Sequence, residues 1–111
     1  MTMAIEKYRL EDMVKGWFIG NFSPTLYDTN DVEVGVKHYS AGDIDANHYH
    51  KLATEFTVII NGMVVMNGIE YKDGDIIKVV PGVAVEFKAL TDVTTFVIKI
   101  PGVINDKYSN G

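Results

Sequence analysis

GDIDANHYHKLATEFTVIING, residues 42–62, decides how the rest of the chain is read. Two glycines bound it. Within it, His48 and His50 stand two residues apart, so on an extended strand both imidazoles project to one face and can converge on a single ion or ligand. Glu55 follows four residues after His50 and opens the β-rich run Phe56, Thr57, Val58, Ile59 and Ile60. A strand carrying Glu55, paired beside the histidine strand, would aim its carboxylate at the same point. Two neutral imidazoles and one carboxylate form a facial set that suits Fe(II), Mn(II), Zn(II) or Ni(II) and leaves coordination positions open.

Outward from this stretch the chain is punctuated by turn signals. Ala41-Gly42, Asn61-Gly62, Asn67-Gly68, Asp73-Gly74, Pro81-Gly82 and Pro101-Gly102 divide it into segments of strand length. Three Asn-Gly or Asp-Gly pairs between residues 61 and 74 supply positive-φ residues for tight hairpins and predict a meander of antiparallel strands. Residues 31–39 alternate, with Val32, Val34, Val36 and His38 on one side and Glu33, Gly35, Lys37 and Tyr39 on the other. Residues 83–90 also alternate: Val83, Val85, Phe87 and Ala89 form an apolar side while Glu86 and Lys88 face away. Only the region around Leu10 to Val14 suggests a short helical turn. Many short strands without intervening helices mean an all-β sandwich or barrel.

The spacing Gly42, five residues, His48-Tyr49-His50, four residues, Glu55, six residues, Gly62 resembles the first motif of the cupin superfamily at each fixed position. That resemblance spans about residues 32–100 and implies the double-stranded β-helix, a small jelly-roll barrel with its site inside. It implies a metal held by His48, His50 and Glu55. Residues 74–89 follow the spacing of the second cupin motif, but Val85 stands where the family carries a fourth ligand, a histidine, and Ala89 where Asn is common. Glu86 points away from the inward face and does not replace it. His48-Tyr49-His50-Lys51 also resembles the His-x-His-Lys segment of cupin-type dTDP-4-keto-6-deoxyhexose ketoisomerases, which use histidines as acid and base without metal. Those enzymes usually carry Gln where Glu55 stands. A third reading is a module that binds a small ligand and does no chemistry.

The chain therefore reads as one domain over residues 1–111: a core of about 32–100, an N-terminal extension 1–24 and a C-terminal tail 103–111. His48 and His50 are the catalytic candidates. Thr57, Ile59, Val83, Val85 and Phe87 are expected to line the cavity. His38 continues the valine face and is expected as a hydrogen-bonded core residue, or as a further ligand-binding group if it reaches the cavity. Trp17 and Phe18 are expected as an apolar patch that closes the barrel or forms an interface. Inward Glu55, Thr57 and Ile59 leave Phe56, Val58 and Ile60 on the outer face, which predicts a homodimer unless residues 1–24 cover them. The ten Lys and Arg against fifteen Asp and Glu give a net charge of -5, so nucleic acid is not an expected partner. No apolar run is long enough for a bilayer and no signal peptide is visible. With no cysteine, the chain is expected in the cytoplasm, with a sugar or polysaccharide precursor as the context of its small-molecule ligand.

Overall fold

The structure, a computed structural model, describes residues 4–109. Residues 1–3 of the N-terminal extension and 110–111 of the tail lie outside the described residues. The helical turn expected near Leu10 is a single 3-10 turn, Leu10–Asp12, and everything after it is strand and loop.

Ten strands follow: β1 (Trp17–Ile19), β2 (Glu33–Tyr39), β3 (Ile44–Tyr49), β4 (Thr54–Asn61), β5 (Met63–Met66), β6 (Ile69–Lys72), β7 (Ile76–Val79), β8 (Val85–Ala89), β9 (Val93–Ile100) and β10 (Tyr108–Ser109). They form two five-stranded antiparallel sheets, one ordered β1-β2-β9-β4-β7 and the other β10-β3-β8-β5-β6. Successive strands from β2 to β10 pass from one sheet to the other, except for the β5–β6 hairpin. This winding is the double-stranded β-helix.

The expected meander is thus not what the Gly pairs build. Only Asn67-Gly68 closes a hairpin, with both residues at positive φ and Met66 opposite Ile69, the geometry of a two-residue primed turn. Asn61-Gly62 and Asp73-Gly74 instead carry the chain between sheets. Gly62 is needed there for two reasons. Its φ is +101°, and a Cβ would lie 2.5 Å from the Asp92 carbonyl oxygen.

The apolar core sits between the sheets and consists of Ile59, Val64, Met66, Val85, Phe87, Ala89 and Val93. Complete burial of Ile59 and Val64 contributes about 1.5–3 kcal/mol each. On β2 the inward residues are Glu33, Gly35, Lys37 and Tyr39, opposite Lys99, Val97, Thr95 and Val93 of β9. The valine face of β2 points outward, and His38 goes with it. Together with Phe56, Val58, Phe96 and Ile98 it makes the outer side of the first sheet apolar. Trp17 lies against Gly35, where an added Cβ would come within 2.8 Å of the indole. Among the described residues no helix is long and apolar enough to cross a membrane.

Gly62 offers a test of the corner geometry. Gly62→Ala combines a positive φ with a backbone clash and should destabilise by about 2–4 kcal/mol, whereas Gly68→Ala, with positive φ but open space around it, should cost about 1 kcal/mol. Chemical denaturation of the two variants measures the difference.

Candidate metal centre

His48 lies near the end of β3, and a register shift between Asp45 and His48 adjusts its aim into the barrel. His50 follows immediately after the strand. Glu55 begins the inward row of β4. The histidines and Glu55 belong to opposite sheets, so their strands are not paired neighbours as the sequence reading expected. They meet across the barrel interior, and the tight 51–53 segment that joins the sheets keeps the two strands close.

The three side chains converge. One ligand atom from each of His48, His50 and Glu55 lies within 4.8 Å of the others. Metal–ligand bonds of about 2.0–2.2 Å would draw these atoms closer together. Both rings are oriented by main-chain carbonyls: Nδ1 of His48 is 2.8 Å from the Ala46 oxygen and Nδ1 of His50 is 2.7 Å from the Asp106 oxygen. A carbonyl only accepts, so each Nδ1 carries the hydrogen and donates it, leaving Nε2 as the lone pair of the neutral ring. His50 Nε2 is 3.3 Å from Glu55 Oε2, yet it is buried and forms no well-directed hydrogen bond. An orphaned acceptor beside a carboxylate fits a cation. The residues present therefore suit a divalent metal.

The electrostatics agree. Contact with Glu55 raises the proton affinity of His50, with burial opposing it and the Asp106 carbonyl adding to it. Burial pushes Glu55 up, but His50, Lys99 and His48 together hold its carboxyl below the usual range, so it stays ionised.

The cavity around these groups is small, about 50 Å³, with room on the order of a few water-sized groups. Thr57, Val83, Val85 and Phe87 line it. Ile59 does not; it is fully buried in the adjoining apolar core. His38 stands outside, exposed, with its ring nitrogen 3.0 Å from Thr94 Oγ1. It is neither a core residue nor a cavity group, because the valine face to which it belongs is the outer one. Val85 is directly opposite His48 across the β3–β8 pair, inward and buried. Its register is pinned by Asn67, whose side chain hydrogen-bonds Ala84 O and Glu86 N on either side of it. The position where the resemblance implies a fourth ligand thus carries an isopropyl group.

Tyr39, Asp45 and Thr95 also line the cavity, and the sequence reading missed them. Tyr39 packs on Phe87 with centroids 4.6 Å apart. Burial, and then the charges of Asp45 and Glu55, push its hydroxyl far above the ordinary phenol range, so it remains a hydrogen-bond donor. The alternation of Glu33, Gly35, Lys37 and Tyr39 was the available signal.

Asp106 was also missed. Its carboxylate accepts from the backbone N–H groups of Lys51, Leu52 and Ala53 at 2.9–3.3 Å, while its carbonyl holds His50.

No protein-family model matches the chain, and no curated protein matches its sequence. Solved structures do. An uncharacterised conserved protein with a double-stranded β-helix domain from Klebsiella pneumoniae is 22% identical, with a TM-score of 0.67 over 92% of this chain and 93% of that one. A cupin superfamily protein from Desulfitobacterium hafniense is 12% identical, with a TM-score of 0.60 over 65% and 69%. The DMSP lyase DddQ from Ruegeria pomeroyi is 16% identical, with a TM-score of 0.70 over 85% of this chain and 49% of that one. The chain has the cupin fold, and a His-His-Glu cluster lies inside its barrel.

Asp106 supplies a pH test. Burial raises its carboxyl, but the three N–H donors outweigh this and hold it below its ordinary 3.8. A depressed native pKa stabilises fully above the unfolded value, and that stability is lost as pH falls through the native one. Acid unfolding of the wild type should therefore steepen below about pH 4, and Asp106→Asn should lack this component. Asp106→Ala, which orphans three donors, should cost about 2–4 kcal/mol by urea denaturation at neutral pH.

Proposed function

We propose that the protein binds one divalent metal ion through His48 Nε2, His50 Nε2 and the Glu55 carboxylate, and brings a small oxygen-bearing molecule to the remaining coordination positions. One observation carries the reading: both imidazoles are fixed at Nδ1 by main-chain carbonyls, which leaves Nε2 free, and a ligand atom from each of the two rings and Glu55 lies within 4.8 Å of the others around one cavity. The donor set suits Fe, Mn, Zn or Ni. When bound, such an ion supplies Lewis-acid polarisation of a carbonyl or other oxygen ligand. The chain's own groups supply the rest. Tyr39 offers a neutral hydroxyl as hydrogen-bond donor to that oxygen, and Val83, Val85 and Phe87 keep bulk water away. The hydrocarbon side of Val85 leaves one more position open than a four-ligand site would.

The cavity also limits the ligand. A nucleotide-linked sugar does not fit in about 50 Å³, so the metal-free ketoisomerase reading gains no support from it. A sugar or polysaccharide precursor would have to place only its reacting end there. Its body would lie in the larger groove, about 800 Å³, between the N-terminal segment and β2, which shares Tyr39 with the cavity.

Elemental analysis of tag-free protein tests the centre. Roughly one equivalent of a first-row metal is expected per chain, falling to background in His48→Ala. Val85→His, which places an imidazole opposite His48, should tighten the binding. Metal no higher in the wild type than in His48→Ala overturns the proposal.

We further propose that two copies pair through the outer side of the first sheet. Ile60, Ile76 and Ile100 are about half or more exposed there, beside the partly exposed Phe56, Val58, Phe96 and Ile98. The described part of the N-terminal segment runs by the β2 edge and leaves these isoleucines open. A flat apolar sheet face is complementary to its own copy across a two-fold axis. Sedimentation should give a dimer at micromolar concentration and a monomer for Ile76→Glu; a wild-type monomer excludes it.

A further inference from the structure

Two lysines face into the barrel. Lys37 belongs to the inward row of β2 and Lys99 to that of β9, where it is the cross-strand partner of both Glu33 and Glu55. Their ammonium groups lie 5.3 and 5.0 Å from the Trp17 ring centroid, on an indole that fits only because Gly35 has no side chain. Among the described residues neither has a carboxylate oxygen within 4.0 Å. Among the described residues the ion pairs are Arg9–Glu11, His50–Glu55 and Lys107–Asp45.

An ammonium turned away from bulk water without a close counter-ion is unfavourable, and contact with an indole offsets only part of the lost hydration. In a chain of net charge -5 these cations are a local feature rather than a surplus. Glu33, the carboxylate in register with Lys99, acts on it at longer range than an ion pair. It is almost fully buried, one of its oxygens has no partner, and burial shifts it toward its neutral form. Burial likewise weakens the hold of Lys37 on its proton, which a bound anion would restore. A second observation points to a ligand: Thr95, the cross-strand partner of Lys37, is buried, lines the cavity and has a hydroxyl with no hydrogen-bond partner.

We propose that Lys37 and Lys99, beside Trp17, form a subsite for the carboxylate or phosphate of a small anionic ligand whose other end reaches the His48, His50 and Glu55 centre. The orientation rests on the metal reading above; the anion subsite does not, since none of its groups is a metal ligand. It gives the ligand polarity, with a charged end at the lysines and an oxygen at the inner cavity.

Trp17 is the chain's one tryptophan, so its fluorescence reports the subsite directly. Metal-free protein, prepared with a chelator, is titrated separately with inorganic phosphate and with malonate, at an ionic strength held constant with chloride. A saturable fluorescence change is expected with at least one of them, and which one responds identifies the anion. Lys37→Met and Lys99→Met should each raise the half-saturation concentration by roughly tenfold or more, whereas Lys88→Met, on the exposed side of β8, should not. If Lys99→Met does not fold by circular dichroism, Lys37→Met alone decides. No saturable response, or an unchanged one in the folded lysine variants, overturns the subsite. His48→Ala should retain the response, so loss of the metal reading and loss of this one are separate outcomes.

Discussion

The interactions of Asp106 hold together parts of the molecule that are far apart in the chain. Its carboxylate gathers the backbone donors of Lys51, Leu52 and Ala53, and its carbonyl fixes the ring of His50. Those three donors belong to the crossing from the second sheet to the first. Without an acceptor the N–H of Ala53, a residue almost completely enclosed, would be buried and unpaired. The crossing in turn sets how near β4 comes to β3, and so how near Glu55 comes to the histidines. Asp106 also immediately precedes the segment that adds β10 beside β3, with Tyr108 stacked on Tyr49. One buried carboxylate thus ties the tail, the crossing and the site to a common geometry.

The first sheet has its apolar residues on the wrong side for a simple reading. Hydrophobic alternation identifies two faces of a strand but not which one is inside. On β4 and β8 the motif glycines and the histidine spacing fix the choice, and Glu55, Thr57, Val85 and Phe87 point inward as read. On β2 no such marker exists. The valine face looks like core, yet it is outer, while Glu33, Gly35, Lys37 and Tyr39 face the interior. Polar groups of β2 face the interior, and the outer valines join a continuous apolar sheet surface. His38 was misplaced with its strand. The hairpin reading failed for a different reason: Asn-Gly specifies local backbone at a turn, and whether the flanking strands then pair or diverge depends on which sheet receives the next strand.

The inward faces of β4 and β8 were legible because they depend on strand parity alone. The inward side of Val85 follows from the alternation and motif spacing; the structure sets it opposite His48 and holds that register through Asn67, a residue recognised in the sequence only as part of a turn. Asp106 was not legible, because its partners are backbone groups more than fifty residues away. Lys37 and Lys99 were not either. Their meaning comes from Trp17, which reaches them only through a three-residue edge strand and the empty side of Gly35.

These features give the interior a gradient. At one end Ile59, Val64, Ala89 and Val93 exclude water almost completely. Next come His48, His50 and Glu55, a cluster whose two rings are each held at Nδ1 by a main-chain carbonyl and whose carboxylate carries the charge. Lys99 adjoins that carboxylate in register and helps keep it ionised, so the site acquires a basic neighbour on the ligand's side. A ligand with an oxygen to offer a cation and a negative charge to offer the lysines would satisfy both, whereas a neutral one would leave the ammonium groups as poorly solvated as before. The same Lys99 that lowers the proton affinity of Glu55 thereby biases the barrel toward anions, without adding a positive charge to its outer surface.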